Sequence, residues 1–553
     1  MVAAAIFTLT VSAVQTSAQA GDSTTANNFS VQFNPQTGFY HQISHLTTLQ
    51  NDIYGAYLVM PPCVGTVKND CIVSLEHTNS QGKWVKGKFK EYLPLKDLKW
   101  NDSDLEKDYN SLEDTVFAKA RPELDIPAGG RTGIWQLSNA KHAGGTDYAI
   151  TISFAGATSS TSKPRDAGNL ISWNPNNDGL RMMLSPISYD VNLPMAKENV
   201  TWGKGIDGRI SCTASLGKAT YRCVPSSLHS FPPKTKYRIT VNFKSTKSVL
   251  NGQDWYIGRL FNAQVRETSN SDDSVSLAIE GSPTMVGGAE TEFPKNQTNF
   301  QMFKGIYDSY YELLMGKKPF GFENFEAFNR FDGFGFSTLD PGAASAWNIL
   351  EDSFDFKYFS EQETWQVSTS QLALADRELT KNCASNDVLP GIISTNAIVA
   401  NPSPPKWSAE TSELVYSIAS PHLKKDGSLN SGVYELTIDK KLAECLWGLD
   451  PLKYRATISV TAKDGTQKLS TTVFASTDKH LTFRAAGFSF STSLIKVKLS
   501  NEKGSTAVKT ALPDIFLKTS AKRTTVAITC VKGKIIKKVS GTSPKCPAGY
   551  KKK

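Results

Sequence analysis

No part of this 553-residue chain approaches the ~20 consecutive apolar residues that a membrane-crossing helix needs. The commonest sequence marks of catalysis are also missing. There is no Gly-x-Ser-x-Gly elbow and no His-Glu-x-x-His pair. The glycine-rich run Thr201–Arg209 lacks the Lys-Ser/Thr ending of a phosphate loop and reads as a turn. Gly21-Asp22-Ser23 matches a fragment of one esterase motif, but it sits in a polar mature terminus. Histidine is scarce, with seven residues that the sequence leaves scattered. His41 and His45 have the spacing of two ligands on one helix face, yet Asp52 is the one nearby acid and nothing marks it as a third ligand. His422, ahead of Asp426, reads as a hydrogen-bonded loop residue. No cofactor or metal is expected, and a pair of carboxylates for glycoside cleavage cannot be picked out by spacing among 52 acidic residues.

Acidic residues are absent from one more place, the C-terminal segment 516–553, which holds ten lysines and one arginine. Removing its +11 from the chain's +9 leaves the rest at −2, so the basic character belongs to the tail. A nucleic-acid-binding body would instead spread Lys and Arg over a folded face. No nucleic-acid partner is expected. A cationic tail is drawn to polyanions in a salt-dependent way; the bland alternative is a solvated tail. The anion-contact candidates are Lys532, Lys534, Lys537, Lys538, Lys545, Lys551, Lys552 and Lys553.

Within the tail, Val526–Thr529 and Ile535-Ile536 read as two short strands with Gly533 between them. A Cys530–Cys546 bridge would supply about 3 kcal/mol to this otherwise marginal hairpin. No histidine or further cysteine is near enough in sequence to turn the pair into a zinc site. The run Thr529-Cys530-Val531-Lys532-Gly533-Lys534, with Lys537-Lys538-Val539, Pro544-Lys545-Cys546-Pro547 and Gly549-Tyr550-Lys551-Lys552-Lys553, resembles a Cys/Lys-rich tail. Many secreted proteins of freshwater-type actinobacteria carry such a tail on otherwise unrelated bodies. The resemblance implies an appended module and no enzymatic role.

At the other end, Ala3–Val14 is a short apolar run followed by Ala18-Gln19-Ala20, a small-x-small cleavage site. Residues 1–20 are therefore expected to be a signal peptide, although Met1-Val2-Ala3 lacks the usual positive charge. Secretion, to the extracellular space or cell surface, follows as an expectation. The eight cysteines agree with an oxidising compartment. Neighbour spacing favours Cys63 with Cys71, Cys212 with Cys223 and Cys530 with Cys546, leaving Cys383 with Cys445.

The body is expected to be mainly β and multi-domain. A β-rich region spans 21–300, a helix-containing aromatic segment 301–382, a β-sandwich 383–515 and the basic disulfide tail 516–553. Residues 21–36 are polar and expected to be loose. Tyr148–Phe154 and Tyr237–Phe243 alternate with period two, as half-buried strands do. Lys83–Leu98 is strand-like. Asn101–Asp114 packs six acidic residues but lacks EF-hand spacing. Gln301–Met315 has helical spacing, and a second short helix is expected from Pro341 to Glu351. Between them Phe320–Phe336 carries seven phenylalanines, as interdomain core or as a groove lining. From Cys383 the pattern is all-β, with strands at Val433–Ile438, Tyr454–Ala462, Leu469–Phe474 and within Leu481–Leu499.

Asn199–Gly205, Trp255–Arg259, Ser420-Pro421-His422 through Asp426-Gly427 to Gly432-Val433-Tyr434, and Ala443–Trp447 resemble stretches of a group of uncharacterised exported actinobacterial β-rich proteins. That likeness implies a compartment and an architecture, and carries over no site residue. The expected function is an exported, non-enzymatic cell-surface or envelope-associated binding or structural protein whose tail contacts an anionic envelope polymer or polysaccharide. The alternative is a secreted hydrolase acting on glycans.

Overall fold

A computed structural model describes residues 28–34, 44–48, 53–100, 120, 127–159, 180–192, 209–210, 213–216, 219–223, 226–250, 255–294, 333–337, 347, 351, 356–369, 391–401, 404–447, 455–462, 467–469, 471–477, 479–490, 493–500, 526–532, 535–541 and 551–552. The chain is mainly β. It divides into two compact units, Met1–Lys509 and Thr510–Lys553.

Three β layers build the first unit. In the outer layer, Trp84–Lys86, Cys71–Thr78, Tyr237–Phe243, Val275–Pro294 and the C-terminal half of Tyr256–Ser269 lie side by side, all antiparallel. Tyr237, Ile239, Val241 and Phe243 are fully buried and the residues between them are not, so this strand has one dry and one wet face. A long central layer runs through Lys88–Tyr92, Gly133–Gln136, Asp147–Ser159, Arg181–Tyr189, Lys357–Thr369, the N-terminal half of Tyr256–Ser269, Gly391–Thr395, Ser431–Asp439, His480–Ser489 and Thr471–Ser476. Every pairing on that path is antiparallel except the one joining Tyr256–Ser269 to Gly391–Thr395. The third layer sets Val399–Ala400 and Lys406–Ser408 on Glu413–Ala419, followed by Ser493–Ser500, Arg455–Ala462 and Gln467–Leu469.

Adjacent residues of the central layer feed different cores. Tyr256 and Ile392 pack with Ile150, Val241 and Trp365 in one core, while Ile257 and Ile393 pack with Tyr416, Leu436 and Phe483 in the other. Successive side chains of a strand point to opposite faces. The middle of the central layer therefore has a core on each side, and strands there are buried almost throughout: all five residues of Gly391–Thr395, and eight of the nine in Ser431–Asp439.

The strand Tyr256–Ser269 passes from the central to the outer layer at a bulge. Its register against Val275–Pro294 shifts between Phe261 and Gln264, and Asn262 takes a left-handed φ of 54°. A buried ion pair fixes this corner. Glu435 and Arg484 have side chains only 1% and 3% exposed. Arg484 donates to Glu435 Oε2 from Nε at 2.8 Å and also from Nη2, and it reaches Asn262 Oδ1 at 2.6 Å. Glu435 in turn accepts the N–H groups of Ala263 at 2.9 Å and Asn262 at 3.3 Å. Nearby, Arg259 is 1% exposed and donates to the carbonyls of Thr395 and Ile398. Burial draws its guanidinium down to about 10.

Three local expectations change. Asn28–Asn34, expected to be loose, is a strand between Val275–Pro294 and Gly333–Ser337, with Val31 and Phe33 fully buried. The apolar residues at 29, 31 and 33 supply a period of two inside a polar run. Within the segment expected to be all-β, Lys440–Trp447 is an α-helix. The Asp439 carboxylate caps it by accepting from Lys441 N at 2.8 Å and Leu442 N at 3.1 Å, and Leu442, Ala443 and Trp447 form its buried face. In the aromatic segment, Gly333–Ser337 is a strand; Trp347, inside the helix expected from Pro341 to Glu351, is helical as expected. The helix expected over 301–315 and the acidic run 101–114 lie outside the described residues.

Candidate functional site

The basic tail lies in the second unit, where the backbone forms a three-stranded antiparallel sheet. Val526–Lys532 is central, with Ile535–Gly541 on one side and Lys551–Lys552 on the other. The first two strands are where the sequence places them. The third is an addition, and it brings the hairpin to the three strands that stand alone more readily than two. Cys530 is opposite Lys537 on one side and Lys552 on the other, Thr529 is opposite Lys538, and Val531 is opposite Lys551. Lysines from the two ends of this segment thus flank one strand. Lys532 ends the central strand, while Lys534, Lys545, Lys553 and Cys546 lie outside the described residues.

In the first unit, Cys63 and Cys71 form a disulfide, as their spacing suggests. Cys445, on the helix, is disulfide-bonded as well. The hairpin Thr213–Leu216 with Ala219–Cys223 ends on Cys223, whereas Cys212 and Cys383 lie outside the described residues. His45 opens the strand His45–Thr48, so no helix face carries it. His422 is exposed and its Nδ1 bonds the Phe490 carbonyl at 2.8 Å, in line with a loop histidine's ordinary role.

The structure brings together residues whose sequence positions do not suggest it. His142 lies in the turn between Gly133–Gln136 and Asp147–Ser159, and His229 follows the strand Ser226–Leu228. Their rings stack at 5.1 Å with 25° between planes. His142 Nε2–H donates to the Asp147 carbonyl at 2.9 Å, and its Nδ1 accepts from Gly144 N–H at 3.1 Å. Ser188 Oγ lies 2.8 Å from His229 Nε2. Burial lowers both imidazoles below the ordinary histidine range, and the neighbouring His229 pushes His142 further down.

A second group of polar residues adjoins on the wet side. Lys90 Nζ donates to Asp147 Oδ2 at 2.8 Å and to the Tyr189 oxygen at 3.0 Å, and the Tyr189 hydroxyl donates to Glu91. Burial alone would depress the Lys90 ammonium; its bonds to Asp147 and Tyr189 outweigh that and hold it above the usual lysine value. Burial and then the Glu91 carboxylate push the Tyr189 phenol up to about 12. On the dry side, Tyr148 donates to the Ala140 carbonyl at 2.7 Å and lies 3.2 Å from the Tyr237 hydroxyl. The Glu363 carboxylate accepts Phe231 N–H at 2.8 Å, and burial raises its pKa.

The chain matches no family model, no curated protein and no solved structure. What the body's cluster can do is therefore a question of its own chemistry. Among the described residues no group of three or more His, Cys, Asp and Glu is arranged to hold a metal ion. Stacked rings cannot converge two nitrogens on one ion. Ser188 and His229 have the spacing of a nucleophile and its base, but among the described residues no carboxylate hydrogen-bonds His229 to orient it.

Proposed function

We propose that the protein is an exported, non-enzymatic, envelope-associated binding or structural protein whose basic C-terminal unit contacts an anionic envelope polymer or polysaccharide. The observation that carries this reading is charge segregation: +11 without one acidic residue in 516–553, against −2 in the rest. The tail coincides closely with a compact unit of its own, and its backbone register gathers Lys537, Lys538, Lys551 and Lys552 around one strand. The apolar leader, the even number of cysteines and the Cys63–Cys71 bridge support an oxidising compartment. No helix among the described residues is long and apolar enough to cross a membrane.

The test is co-sedimentation with isolated cell envelopes, comparing the full mature chain with a form ending at Lys509, at low and high salt. The full chain should pellet, high salt should release it, and the shortened form should stay in solution. Equal pelleting of both forms, or of neither, would remove the tail from the binding function.

A further inference from the structure

The turn that holds His142 is closed by several backbone bonds. Leu137 N donates to Thr146 O at 2.9 Å, Ala140 N to Leu137 O at 3.0 Å, His142 N to Gly145 O at 2.9 Å, and Gly145 N to His142 O at 3.2 Å. Gly145 has a φ of 124°, a conformation that side chains other than hydrogen avoid. The Tyr148 hydroxyl adds a bond to Ala140 O. The His142 imidazole, 6% exposed, sits within this turn with both nitrogens committed, one as donor and one as acceptor. A second proton can go only to Nδ1, which already faces the Gly144 N–H. Protonation therefore replaces a hydrogen bond with two donors facing each other.

The far side of the ring is no easier. His229 stacks on it, and Gly144 approaches His229 so closely that a Cβ there would lie 2.0 Å from Nε2. A charge on His142 meets a second titratable ring at 5.1 Å in a partly dry site. We propose that the Leu137–Thr146 turn is a pH-operated latch, closed against the His229 segment while the stacked histidines are neutral and released when acid protonates them.

The surrounding charges do not neutralise this effect. Asp147, the nearest carboxylate, favours the imidazolium, but Lys90 already occupies it. Glu91 is engaged by Tyr189. From Arg181–Tyr189 the group facing His229 is the neutral Ser188 hydroxyl. Burial favours the uncharged form of Glu363, which accepts from Phe231. Lys141, within the turn, is exposed and adds positive charge. A histidine held low in the folded state contributes stability at pH above its unfolded value of 6.5, and loses that contribution as pH falls from 6.5 toward the folded value.

Hydrogen exchange on the full chain tests the latch, with rates corrected for the intrinsic effect of pH. On going from about pH 7.5 to about pH 5, amides of residues 137–147 should exchange at least about fivefold faster, while Tyr237–Phe243 stays protected. His142→Gln, a neutral side chain, should remove the step. Equal protection of the turn at both pH values would overturn the proposal, as would a step that survives in the Gln variant. If that variant fails to fold, the histidine resonances of the unaltered chain decide. A His142 midpoint below that of free histidine is expected, and one at or above it would sink the latch.

Discussion

The outer and central layers are built from similar strands and differ in what lies beyond them. Tyr237–Phe243 has a core on one face and water on the other, and its charged residue Arg238 reaches Glu76 at 2.8 Å and Glu280 at 3.5 Å with side chains 12–21% exposed. Ser431–Asp439 has a core on both faces, and its Glu435 is enclosed with Arg484 at 1–3% exposure. In the outer layer the ion pair keeps part of its water. In the middle of the central layer Glu435 and Arg484 have lost their water and depend on each other and on the bulge amides. Burial on the second face, more than strand propensity, decides which polar residues matter.

The sharpest test of that contrast is Glu435→Ala. It leaves Arg484 buried without its carboxylate and removes the acceptor for Asn262 N and Ala263 N. A loss of about 3–5 kcal/mol in urea unfolding is expected. The pair replacement Glu435→Leu with Arg484→Met should recover much of it. A loss as large in the double variant would show that the pair together with the bulge amides Glu435 accepts, and not the stranded charge, stabilises the corner.

Gly391→Ala probes the same layer without touching charge. A Cβ at Gly391 would lie 2.3 Å from the Thr437 carbonyl and 2.8 Å from the Trp255 ring, and the carbonyl is backbone that cannot swing away. About 1–3 kcal/mol should be lost, read as a lower thermal midpoint.

The smallest effect belongs to Arg238→Ala in the outer layer. It removes the contacts with Glu76 and Glu280 and the guanidinium 4.3 Å over the Trp84 ring. About 1 kcal/mol is expected, shrinking with salt. A cost equal to that of Glu435→Ala would erase the distinction between the layers.

The same contrast explains what the sequence discloses. Strands with one wet face carry a period of two, so Tyr237–Phe243 and Arg455–Ala462 are legible; Tyr148–Phe154 alternates in sequence too, but it is buried on both faces, with Thr151 and Ser153 inside, which corrects the half-buried strand expected there. Gly391–Thr395 is hidden, because Gly-Ile-Ile-Ser-Thr is buried on both faces and has no period to detect. The helix Lys440–Trp447 had a signal in the Asp439 cap and the apolar residues at 442, 443, 446 and 447, but it is short and embedded between strands. The stretches Trp255–Arg259 and Gly432–Tyr434, noticed by resemblance, fall on central-layer strands, and Trp255 and Tyr434 share one core. The histidine cluster was not legible at all. His142, Ser188 and His229 come from separate strands and loops, and no spacing rule links them; only the antiparallel pairing of Arg181–Tyr189 with Asp147–Ser159 and Ser226–Leu228 does.

The corner at Asn262 has a consequence for how the chain acquires its shape. Arg484 meets Asn262 across 222 residues of sequence, and Arg259 meets Thr395 across 136. Such closures lie late on any folding route, because the entropy of joining distant segments must be spent before the contact returns anything. A chain stopped short of Arg484 would leave Glu435 without its cation and one face of the central layer uncovered. The first unit is thus expected to complete itself slowly, and only after nearly all of its length is available.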